Sequence, residues 1–364
     1  MGAICFLCRT PIRPTSHIRK LRVLLLSILV GVLPMTAMGQ PRGTGSHGAF
    51  SFYFENDVFA GTDRYYTNGT RLTWISPEVA AYPEHACIPK WSLPFVTGLP
   101  FVNKSGYKRA IYVSAGQSIY TPEDIERTDL IKDDRPYAGV AYFAIGFQSK
   151  SPQHMESLEF DVGLVGPHSY AEQTQKAIHE WSDSMDPKGW DNQLEDEPFL
   201  EAIYLHKIKF IRSRLANGFE YDVIPHYGWG LGNAYTFANA GAQLRFGWNL
   251  PNDFGTFLIR PGCECNAPSG ERDRSFPRGT NQLGIHVFAA VDGYAVLRDI
   301  LLDGNTFRDS HSVEKEPFTA DLLAGVGLTV SRFKVSYGYV YRTKQFKTQR
   351  DEQVFGTITI SFFY

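Results

Sequence analysis

From Val354 to Phe362 every second residue is apolar or glycine, with Thr357, Thr359 and Ser361 among the positions between, and the chain stops on Tyr364. A period of two marks a strand with unlike faces. This strand, when tilted, is long enough to cross a bilayer. The pattern recurs. Ala320, Leu322, Ala324, Val326, Leu328 and Val330 face one way, and Asp321, Gly325, Gly327 and Thr329 the other. Phe333, Val335, Tyr337, Tyr339 and Tyr341 oppose Lys334, Ser336, Gly338 and Arg342. Ala238, Ala240, Ala242, Leu244, Phe246 and Trp248 oppose Asn239, Gln243 and Arg245. A soluble sandwich also alternates, but lipid outside and a polar lumen inside explain both of these faces in so many long strands.

The alternation predicts twelve strands, near 49–58, 66–77, 109–120, 136–149, 154–165, 200–213, 218–229, 234–248, 283–298, 316–330, 332–345 and 353–364. The expected fold is all-β: a twelve-stranded antiparallel transmembrane β-barrel with a short helix in an outward-facing loop. An even strand number puts both barrel ends on the periplasmic side, and the odd-to-even connections then face outward. The helix is predicted over Ser169–Trp181, between strands five and six. Ser169 and Glu172 have the spacing of a capping box. Ala171, Ile178 and Trp181 form an apolar stripe, and Glu172, Gln175 and His179 lie on a neighbouring face.

Composition sharpens this picture. The chain is 14% aromatic and 20% charged, with no run of eighteen apolar residues, which excludes a helical membrane protein. A net charge of -2 argues against a nucleic-acid partner. Arg9, Arg13, Arg19, Lys20 and Arg22 precede the apolar run from Val23 to Leu33, and Ala37-Met38-Gly39 follows. This reads as a secretory signal over residues 1–39, leaving 40–364 as the barrel. Cys87, Cys263 and Cys265 remain in that barrel. All three fall in even-to-odd connections, where an oxidising periplasm would let Cys87 bridge to one of the pair.

The chemistry gathers on the outward rim. Glu55-Asn56-Asp57 ends strand one, and Tyr66-Thr67-Asn68-Gly69 opens strand two. Gln117 to Pro122 ends strand three, Asp134-Arg135 opens strand four, and the helix with Gln175 and His179 follows strand five. Asn, Asp and Thr oxygens are hard ligands that suit calcium rather than zinc. An imidazole nearby can act as general base on water. No G-x-S-x-G supports a serine nucleophile. Read singly, Asn56-Asp57 and Asn68-Gly69 are also ordinary turn residues.

These motifs resemble those of the lipid A 3′-O-deacylases of the Gram-negative outer membrane. The resemblance is carried by Glu55-Asn56-Asp57, Tyr66-Thr67-Asn68-Gly69, Gln117-Ser118-Ile119-Tyr120-Thr121-Pro122, Asp134-Arg135 and Gly163-Leu164-Val165-Gly166-Pro167. It continues through Gln175-Lys176-Ala177-Ile178-His179, Gly189-Trp190-Asp191-Asn192-Gln193 and the terminal Ile360-Ser361-Phe362-Phe363-Tyr364. It implies Ca2+ near Asn56, Asp57 and Thr67, with His179 activating water and Gln175 assisting. Where the family carries a site lysine, the nearest basic residue is Arg127, which the resemblance offers as the contact to a lipid A phosphate. Where it carries a carboxylate six residues after the histidine, this chain has Met185, flanked by Asp183 and Asp186.

The resulting expectation is a monomeric outer-membrane esterase that acts on lipid A of lipopolysaccharide. The alternatives are a phospholipase using the same residues and a non-enzymatic pore or structural barrel.

Overall fold

Strands 318–330 and 333–342 show how alternation becomes a wall. Leu322, Val326, Val335 and Tyr339 are exposed on one side, and Asp321, Lys334, Ser336 and Arg342 are buried on the other. Only a closed surface with lipid outside and a filled interior satisfies both faces along so many strands. The computed structural model describes residues 48–61, 64–182, 184–256, 258–259 and 283–364. The expected signal segment, Cys263, Cys265 and Asp183 lie outside the described residues. Cys87 is exposed, and both expected bridge partners are among those undescribed residues.

The strands are β1 (Ala49–Asn56), β2 (Tyr65–Ile75), β3 (Lys108–Thr121), β4 (Ala138–Lys150), β5 (His154–Val165) and β6 (Glu197–Ile208). They continue as β7 (Ile211–Arg214), β8 (Phe219–Gly232), β9 (Tyr235–Trp248), β10 (Leu283–Asp299), β11 (Phe318–Val330), β12 (Phe333–Arg342) and β13 (Gln353–Phe363). Every neighbouring pair is antiparallel. β1 pairs with β13, and β6 pairs with β8, which closes the barrel. The expected sixth strand, 200–213, is split into β6 and β7. At the break Lys209 turns its Nζ onto Asn252 and over the Phe254 ring. Twelve long strands therefore form the wall, with β7 as a short extension paired to β8. Among the described residues no helix is long and apolar enough to cross a membrane.

The lumen is filled. Buried ion pairs join Arg71 to Glu159 at 2.7 Å, Arg342 to Asp321 at 2.9 Å and Arg245 to Asp222 at 2.6 Å. The connection after β9 turns up into the barrel. Asp253 binds both Arg245 and Lys334, and Gln243 accepts from the Thr256 N–H. The Ile259 N–H then donates to Glu55 near the far end of β1 at 2.7 Å. This internal strap satisfies inward charges that a bore of this width would otherwise leave to water.

Candidate active site

The candidate site lies on the outer side of the wall. The Glu55 carboxylate meets the strap inside the lumen, so Asn56, the next residue on β1, faces out. Asn56 stands opposite Asn68, Asn68 opposite Ile119, and Ile119 opposite Gly139. Register partners share a face. Leu72, four residues along β2 from Asn68 on that same face, is exposed where lipid would lie. Thr67 has no partner on β3, because a β-bulge falls between Tyr66 and Asn68. Bulges re-aim side chains. Here the Thr67 hydroxyl is brought to the Thr121 hydroxyl at 2.9 Å.

A helix over Ala171–Ser182 covers this patch. The expected capping box does not form, because the Ser169 hydroxyl donates back to the Gly166 carbonyl at 2.6 Å. Instead the Ser169 carbonyl accepts from Gln117 at 2.7 Å, which ties the helix entry to β3. Gly139 allows the close approach: a Cβ there would stand 2.1 Å from Ser169 Oγ and 2.3 Å from Ala171 Cβ. Of the expected apolar stripe, Ala171 packs with Ile119, Ile125, Tyr137 and Trp190, whereas Trp181 stays exposed.

Asn56, Thr67 and Asn68 from the wall meet Gln175, Ile178 and His179 from the helix around one cavity of about 10 Å³. Four of the six residues expected at the site thus converge there. His179 is buried, and its Nδ1 faces the main-chain carbonyl of Met185. A carbonyl can only accept, so this contact puts the proton on Nδ1 and leaves Nε2 as the basic nitrogen. The position where a carboxylate was sought thus acts through its backbone, and Asp186 is exposed. Gln175 Oε1 accepts from Trp190 Nε1 at 2.8 Å, and no protein acceptor meets its buried Nε2.

Asp57 does not line the cavity but adjoins it. It is fully buried and accepts the Arg64 N–H at 2.6 Å, while Asn56 Oδ1 accepts the Val58 N–H at 2.8 Å. Arg127 is not brought into the cavity; it is exposed and paired with Asp129. The Asp134-Arg135 motif acts as a loop clasp. Asp134 accepts the N–H groups of Glu123 and Arg135, and burial raises its carboxyl above the usual carboxylate range. Sequence reasoning did not assign roles to Trp190, Ser184 or the Met185 carbonyl. The only signal for them was the Gly189-Trp190 motif, whose indole could have been asked for a buried acceptor.

Asn56, Asp57 and Thr67 offer neutral oxygens and one buried carboxylate, and the cavity has room for a single small species. That chemistry fits a hard cation. Among the described residues no group of three or more His, Cys, Asp or Glu side chains is gathered as a metal cluster.

Known proteins bear on the fold and the family of this chain. No curated protein sequence matches the chain. Among solved structures, LpxR from Salmonella typhimurium superposes with a TM-score of 0.67 at 17% identity, covering 87% of this chain and 100% of that one. The β domain of the Bordetella autotransporter BrkA gives 0.44 at 10% identity, covering 88% and 99%. The family model described as outer membrane protein LpxR matches residues 24–364. This chain is an outer-membrane barrel and belongs to the LpxR family of lipid A 3′-O-deacylases.

Proposed function

We propose that this barrel hydrolyses an ester of lipid A, releasing the 3′-linked acyl or acyloxyacyl chain. The observation that carries the reading is the buried His179 imidazole, held by a backbone carbonyl beside Gln175 in a cavity on the lipid-facing wall. An ester whose acyl chains stay in the outer leaflet can approach such a wall without leaving the membrane. A pore reading has less support, because the lumen holds a strap and charge pairs.

In this reading His179 Nε2 takes a proton from water as the water oxygen bonds to the ester carbon. The carbonyl oxygen gains negative charge. Gln175 Nε2, held by Trp190 through its own oxygen, is the donor available to that oxyanion. The carbon–oxygen bond to the sugar then breaks, and the imidazolium returns its proton to the leaving oxygen. Calcium, when held by Asn56, Asp57 and Thr67, supplies a Lewis acid for the ester carbonyl. Arg127, on the loop after β3, is the proposed contact for a lipid A phosphate.

The test is mass spectrometry of lipid A incubated with purified barrel in detergent. We expect loss of one 3′-linked chain, abolished by a calcium chelator and restored by calcium but not zinc. Intact lipid A alongside cleaved phospholipids would move the assignment to a phospholipase. Full activity in chelator would remove the metal.

A further inference from the structure

A second cavity, of about 140 Å³, opens inside the lumen. Its walls include the aromatic rings of Tyr142, Phe237 and Tyr294 and the carboxyl groups of Asp161, Glu201 and Asp299. Asp161 and Glu201 are directly opposite each other in the register between β5 and β6. Like charges so placed repel. Both side chains are almost wholly buried, and neither Asp161 Oδ1 nor Glu201 Oε1 meets a protein hydrogen-bond donor.

Of the guanidinium groups nearby, Arg135 lies over the Tyr120 ring and donates to Gln345, with its Nε and Nη2 meeting no protein acceptor, and the other two are bonded to carboxylates. Arg71 is bonded to Glu159, Ser114 and Thr73, and Arg342, which reaches the same cavity, chelates Asp321. Other inward charges in this lumen are paired, as Arg245 is with Asp222 and Lys334 with Asp253. At Asp161 and Glu201, both on the cavity wall, one carboxylate oxygen of each instead has no protein partner.

We propose that this lumenal cavity is a binding site for a small organic cation carrying a primary ammonium group. The ammonium would bridge Asp161 and Glu201 with charge-assisted hydrogen bonds. Its methylene chain would lie against the aromatic rings, whose faces attract cations. The volume is close to that of an engineered cavity of about 150 Å³ that accepts benzene, so the ligand has on the order of six non-hydrogen atoms. Bare calcium fits poorly, since it takes about six to eight oxygen ligands. The site is separate from the His179 cavity, and its occupation does not depend on the esterase reading.

The experiment refolds the full barrel in detergent with putrescine, butanediol or calcium chloride, and measures binding by calorimetry after dialysis. Putrescine should bind one per barrel, and neutral butanediol should not. Glu201→Gln, and separately Asp161→Asn, should weaken putrescine binding by about tenfold or more, the loss of one charge-assisted bond. Heat-modifiable gel mobility establishes that each variant is folded. Three results would overturn the proposal: no putrescine binding, equal binding by the folded variants, or calcium binding that requires the same two carboxylates. A barrel that binds no diamine but becomes more heat-resistant on Glu201→Gln would show that the pair shares a proton instead.

Discussion

The two sides of the wall solve opposite problems with polar residues. Inside, charges are neutralised by charges: Arg245 lies between Asp222 and Asp253, Lys334 on Asp253, Arg71 on Glu159. Outside, under the rim helix, the groups are mostly neutral: Asn56, Thr67, Asn68, Gln175 and His179. The lumen can hold these full charges because they are matched at hydrogen-bond distance, Asp161 and Glu201 being the exception. The outer cavity faces lipid, where an unmatched charge is expensive, so it uses amides, a hydroxyl and an imidazole whose second nitrogen is satisfied by the Met185 carbonyl. The comparison teaches that matched charge holds this barrel together, while a held amide with an unspent donor, such as Gln175 Nε2, is what a reaction can use.

The hardest test of that division is Asp253→Ala. It strips the buried partner from Lys334 and one of two from Arg245, and should cost about 3–5 kcal/mol. The temperature at which the barrel loses its compact gel mobility should drop clearly. Lipid A hydrolysis, measured well below that temperature, should persist. If hydrolysis fails while the barrel stays folded, the lumen and the outer site are coupled and the division is wrong.

His179→Ala makes the reverse test. Removal of a general base typically lowers the rate by about a hundredfold or more. Heat-modifiable mobility should be unchanged, because no lumenal pair is touched. A variant that deacylates at the normal rate would return the helix residues to a purely structural role.

The smallest effects concern the support of Gln175. Gln175→Ala removes the proposed oxyanion donor, and the rate should fall by about tenfold or more. Trp190→Phe keeps the ring packing but frees Gln175 Oε1, so the amide can rotate. Its loss should be smaller than that of Gln175→Ala and should vanish when both changes are combined. A double variant that loses the full product of the two effects would mean that Trp190 acts independently of Gln175.

Much of the barrel was legible in the chain. Alternation located all twelve wall strands, and 154–165 agrees with the observed β5 at both ends. It also gave the inward faces of Lys334, Arg245 and Arg342. The split of the sixth strand was not legible, because Lys209 leaves the sheet for Asn252, forty-three residues away in sequence. The rim helix was legible from its period, but its cap was not. Ser169 and Glu172 have capping spacing, yet the turn at Gly166 and the bond from Gln117 compete for the same groups.

The sequence by itself determined the alternation, and with it a closed wall with one apolar and one polar face, since side-chain direction along a strand is a local property. It also determined which residue types were available at the outward ends: Asn56, Asp57, Thr67, Gln175 and His179. Only the tertiary structure decided which of them meet. The bulge at Thr67, the bare face of Gly139 and the turn that carries Met185 to His179 each depend on contacts between segments distant in the chain. The pairing of Asp161 with Glu201 is of the same kind, because register is set by the whole ladder and not by either strand alone.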